Sequence, residues 1–99
     1  MADYVLSEAA ENTLREIYLY TNDNFGALQA EAYHEAFHRT FGLLADFPLM
    51  GRSADELHQG LRQMQQGSHM IFYTIREDGV HIEQIFHTKQ LMRRHMFDD

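Results

Sequence analysis

The sequence predicts an α+β fold: an N-terminal strand, an antiparallel αα-hairpin, then a three-stranded antiparallel meander, in the order β-α-α-β-β-β. Three observations predict it. Apolar residues recur at helical spacing over residues 8–46, broken once at Asn24-Phe25-Gly26. From Leu61 to His87 the apolar residues recur instead at strand spacing. Asp78-Gly79 divides that stretch into two matched runs, and Asp-Gly between such runs is the strongest short-range hairpin signal.

Tyr4-Val5-Leu6 is the first strand candidate. Ser7 then suits an N-cap, because its hydroxyl can accept from a free N–H of the first helical turn. Glu8 and Glu11 follow, where the positive end of the helix dipole favours acids. Ala10, Leu14, Ile17, Tyr18, Thr21 and Phe25 form one narrow stripe, which predicts a helix over about residues 8–24. Gly26 is the residue type that ends helices. A second stripe, Ala30, Tyr33, Phe37, Phe41 and Leu44, predicts a helix over 27–46, stopped by Pro48. Neither stripe is wide enough to be buried by the other alone, so both need a sheet.

Residues 49–60 read as loop, Leu61–Gln66 as a moderate strand, and His69–Glu77 with Val80–His87 as the central hairpin. A type I′ turn centred on Asp78-Gly79 would place Ile71, Tyr73, Ile75, Val80, Ile82 and Phe86 on the helix-facing side. The reverse side would then carry Met70, Phe72, Ile85 and His87. Three apolar residues together on a sheet surface imply a cover. The cover is either the chain's own Leu91, Met92 and Met96 or a partner.

Ninety-nine residues make a single domain, 1–99. There is no cysteine, which fits a reducing compartment, and no apolar run long enough to span a bilayer. No signal-peptide pattern opens the chain, so a cytoplasmic protein is expected. Net charge is −7 and confined to one half: residues 1–56 hold ten acids and three bases, residues 57–99 five of each. An acidic chain repels phosphate, so extensive nucleic-acid binding is disfavoured.

His34-Glu35-Ala36-Phe37-His38 matches H-E-x-x-H, the spacing that puts two imidazoles one helical turn apart. Catalytic zinc needs a third protein ligand, and no extended signature supplies one, although His58 or Glu56 is available in principle. The expectation is therefore no metal and no cofactor, with both histidines bridging core and solvent. Arg62, Arg76, His81 and His87 are the groups available for acid–base cleavage of RNA. No Ser or Cys nucleophile context, phosphate loop or dinucleotide fingerprint is present.

The residues also carry a resemblance. Leu6-Ser7 with Ala9-Ala10, Asn24-Phe25-Gly26 with Gln29-Ala30, Phe47-Pro48, Gly51-Arg52, Glu56-Leu57 and Gly60-Leu61-Arg62 follow one another in order. Gly67-Ser68-His69-Met70-Ile71-Phe72-Tyr73, Ile85-Phe86-His87 and Arg94-His95-Met96 complete the set. Over about residues 4–97 the chain resembles the ParE toxins of the ParE/RelE toxin–antitoxin superfamily. The resemblance implies a RelE/ParE-like fold and a non-enzymatic poison of DNA gyrase, neutralised by a ParD-like antitoxin. The alternative it leaves open is a RelE-type ribosome-dependent mRNA endoribonuclease. On the gyrase reading, Arg52 and Arg62 position the loop and second strand. Met70, Phe72, Ile85 and His87 make a sheet-side partner contact, and Lys89, Arg93 and Arg94 the polar contacts of the tail. Both a homodimer and a toxin–antitoxin hetero-oligomer are compatible with it.

Overall fold

The structure is a computed structural model and describes residues 3–91. Strand β1 (Tyr4–Leu6) leads into helices α1 (Glu8–Phe25) and α2 (Ala27–Asp46). Strands β2 (Arg52–Ser53), β3 (Arg62–Gln66), β4 (His69–Arg76) and β5 (Gly79–His87) follow, then a single turn, α3 (Thr88–Leu91). All five strands form one sheet, in the order β1-β5-β4-β3-β2. Neighbours pair antiparallel except β1, which lies parallel to β5. The α+β order is as expected. Short β2, inside the expected loop, is an addition, as is α3.

The two helices are joined by Gly26 alone, at φ 94, where an L side chain is strained. Their stripes meet the sheet in one core. Leu14, Phe37, Phe41 and Leu44 pack against Ile71, Tyr73, Val80, Ile82 and Ile85. Ser7 fastens this corner. Its hydroxyl accepts from the Ala10 N–H at 3.0 Å and donates to the Glu83 carbonyl at 2.7 Å. Its own N–H donates to the Ile82 carbonyl at 2.9 Å.

The hairpin register corrects the expectation in two places. Arg76 pairs with Gly79, so Glu77-Asp78 form the turn rather than Asp78-Gly79. Neither has positive φ, which a type I′ turn needs at both central residues; Gly79 holds the positive φ, at 132. Further along, Tyr73 faces Ile82 but Phe72 faces Gln84, so Glu83 is an extra residue on β5, a β-bulge. One extra residue exchanges the faces beyond it. Ile85 therefore joins the helix-side core, and Phe86 moves to the reverse side beside Phe72. Ile75 keeps its face but is 45% exposed, beside Ala45 and Pro48 beyond the end of α2.

On the reverse side, Ala54 and Leu61 pack over Phe72, with Met70 and Phe86 at the margin. The chain's own 54–61 loop thus forms a second small core. Of the cover expected from Leu91, Met92 and Met96, Met92 and Met96 lie outside the described residues. No helix among the described residues is long and apolar enough to cross a membrane.

Candidate functional site

The loop after α2 is held by two side chains from the sheet. The Tyr73 hydroxyl, buried, accepts from the Gly51 N–H at 3.0 Å and donates to the Pro48 carbonyl at 2.7 Å. Nη2 of Arg62 donates to the Gly51 carbonyl and, at 3.3 Å, to that of Leu49. Gly51 is required here, since a Cβ would fall 2.6 Å from the Gln63 carbonyl and closer still to Tyr73. Arg62 thus holds the loop backbone, and among the described residues its Nε is buried without a hydrogen-bond partner. Arg52 is exposed on β2 and paired through its backbone with Gln63.

The expected sheet-side contact does not assemble. Ile85 and Phe72 are each 1% exposed and belong to different cores on opposite faces, and Met70 sits beside Phe72. His87 is paired with His69 across the hairpin and shares its helix-side face. Lys89 is exposed at the start of α3 and donates its backbone N–H to His87 Nδ1 at 3.1 Å. Arg93 and Arg94 lie outside the described residues.

His87 instead borders a groove that the sequence reading did not single out. A groove of about 520 Å³ runs between the C-terminal half of α1 and the open end of the β4–β5 hairpin. Among its lining residues, Tyr20 and Phe25 of α1 are 64% and 67% exposed. The helical stripe predicts a buried Phe25, and the structure exposes it. Its side chain lies at the last residue of α1, past the sheet, and so becomes rim rather than core. Ile17 and Thr21 form the apolar wall, and Tyr33, His69 and His87 the polar end. One available signal was the run of large apolar residues, Leu19, Tyr20 and Phe25, too wide for a single buried stripe.

The polar end is closely built. The Tyr33 hydroxyl lies 2.8 Å from His69 Nδ1 and 3.2 Å from the Gln66 carbonyl. Gly67, at φ 59, admits that hydroxyl where a Cβ would collide. A hydroxyl has one proton, so donating it to Gln66 leaves oxygen to accept from His69 Nδ1–H. The His69 and His87 rings meet edge-on, centroids 5.1 Å apart. Burial first, and His87 second, push the His69 imidazole down to about 4, so it is neutral in the groove.

The groups required for RNA cleavage are dispersed. Arg62 is committed to the loop, Arg76 pairs with Glu83 at 2.9 Å on the reverse face, and His81 with Asp78 at 2.9 Å. His87 faces the other side of the sheet. Among the described residues, no group of three His, Cys, Asp or Glu could hold a metal.

Comparison with known proteins agrees with this architecture. A chain of a solved structure described as "Chromosomal ParDE TA system from P. aeruginosa" superposes with a TM-score of 0.74. It covers 88% of this chain and 96% of that one at 15% identity, a likeness of fold. Residues 4–92 match the family model described as "ParE toxin of type II toxin-antitoxin system, parDE". "Toxin ParE1" of Mycobacterium tuberculosis is 33% identical over 94 residues, 94% of this chain and 96% of the relative. "Toxin ParE1" of Caulobacter vibrioides is 32% identical over 98 residues, 97% and 99% of the two chains. The fold and sequence define a toxin of a type II toxin–antitoxin system. The chain belongs to the ParE toxin family.

Proposed function

We propose that this toxin inhibits DNA gyrase without enzymatic chemistry of its own, in the cytoplasm, and that a ParD-like antitoxin neutralises it by laying an amphipathic segment in the α1–hairpin groove. The observation that carries the docking is the groove itself. Its exposed Tyr20 and Phe25 flank a neutral, hydrogen-bonded His69–Tyr33 end. Aromatic anchors around a concave apolar floor are what a helix-in-groove partner requires. Membership of the ParE family supports the gyrase target and the ParD-like partner. Exposed Arg52 and Lys89 remain free of the loop clamp and the core, and together with Arg93 and Arg94 are the cations proposed to meet a partner. Met70, at the margin of the second core, is the expected reverse-side contact that keeps some exposure.

Expression of the chain alone should arrest growth and induce the DNA-damage response. Co-expression of the antitoxin encoded beside it should relieve both. Ribosome-dependent transcript cleavage without DNA damage would favour the RelE-type reading instead, against which the dispersal of Arg62, Arg76 and His87 already speaks.

A further inference from the structure

We propose that His34 and His38 form a two-imidazole seat for a borderline divalent transition metal such as Zn²⁺ or Ni²⁺ on the flank of α2. The four-residue spacing on an unbroken helix stacks the rings one turn apart, with centroids 4.7 Å apart and planes at 59°. Two imidazoles sharing one tetrahedral ion, each nitrogen at about 2.0–2.1 Å, place their centroids roughly 5 Å apart. The resting rings are thus close to a chelating pose.

The hydrogen bonding points the same way. Among the described residues Nδ1 of His34 is buried and has no hydrogen-bond partner, and its ring packs at 88° to that of Tyr18. Nδ1 of His38 lies 2.7 Å from the Tyr4 hydroxyl. With Nδ1–H donating to that hydroxyl, Nε2 presents its lone pair. A second hydrogen bond of this kind orients metal-binding histidines. Divalent zinc and nickel both accept imidazole nitrogen. With no third His, Cys, Asp or Glu grouped with the pair among the described residues, water fills the remaining positions. The result is a chelate and not a hydrolytic centre, which takes three protein ligands.

The His69–His87 pair is the internal control, because the Lys89 N–H donates to His87 Nδ1 and a neutral ring accepting there carries its proton on Nε2. The test is equilibrium dialysis of the untagged full chain with Ni²⁺ or Zn²⁺ alone, paired with NMR of the Ni²⁺ form. We expect one saturable ion with a Kd below ~1 mM. Line broadening should centre on His34, His38, Tyr18 and Tyr4, and affinity should fall at least about tenfold in His34→Gln and in His38→Gln, each checked for folding by circular dichroism. No saturable binding would overturn the proposal. So would broadening centred on His69 and His87 or on the C-terminal residues, or unchanged affinity in the folded double variant.

Discussion

Tyr73 shows how one side chain can place a loop. Its hydroxyl satisfies a backbone donor and a backbone acceptor at once, inside the fold. Tyr73→Phe keeps the ring and strands both groups, at a cost of about 1–3 kcal/mol. Chemical denaturation should show a lower midpoint at unchanged slope, and an unchanged midpoint would contradict the clamp. His69 gives a second expectation. Unfolded, it takes a proton near the ordinary imidazole value of 6.5; folded, only near about 4. Between those values unfolding is accompanied by proton uptake, so stability falls as pH falls and is full above the upper one. His38 shifts in the same direction. Thermal unfolding followed from about pH 7 down to about pH 4.5 should decline more steeply in the wild type than in His69→Gln. Parallel curves would show that the imidazole is not held neutral.

At the scale of elements, the helices and strands were legible because period and punctuation agreed: stripes at helical spacing, Ser7 at one end, Gly26 and Pro48 at the others. The bulge was not. Glu83 is an ordinary residue in an alternating run, and its extra place is set by the pairing of β5 with Tyr73 and Phe72 and by the Ser7 hydroxyl on its carbonyl. That one residue explains why Ile85 and Phe86 exchanged faces, and hence why the expected partner contact dissolved. The reverse-side core was equally illegible, since Ala54 and Leu61 are small signals in a polar loop. Ser7→Ala removes both the helix cap and the tether to the bulge. A loss of about 0.5–2 kcal/mol is expected. Amide exchange should quicken at the start of α1 and at Glu83 together. Faster exchange in α1 alone would mean that the tether carries nothing.

For the whole molecule, the proposed docking site is the α1–hairpin groove, since the reverse side is partly covered by the 54–61 loop. Ten of the fifteen acids lie in residues 1–56, which supply α1 and α2, and five of the eight bases in residues 57–99, which supply β3, β4 and β5. Tyr20 and Phe25 are largely exposed and contribute little to the core, so replacing both with Ala should leave the melting temperature nearly unchanged. Antitoxin affinity should fall roughly tenfold or more, as expected when aromatic anchors are truncated. Calorimetric titration measures it, and equal affinities would move the docking site elsewhere. Family membership, the strand order and the arginine-held loop bear on the toxin itself, and gyrase decides between poison and nuclease. The most direct measurement is supercoiling by purified gyrase in the presence of the purified toxin. The account predicts lost supercoiling with accumulated cleaved DNA, both reversed by the antitoxin. Full supercoiling at saturating toxin, with no cleaved DNA, would contradict it.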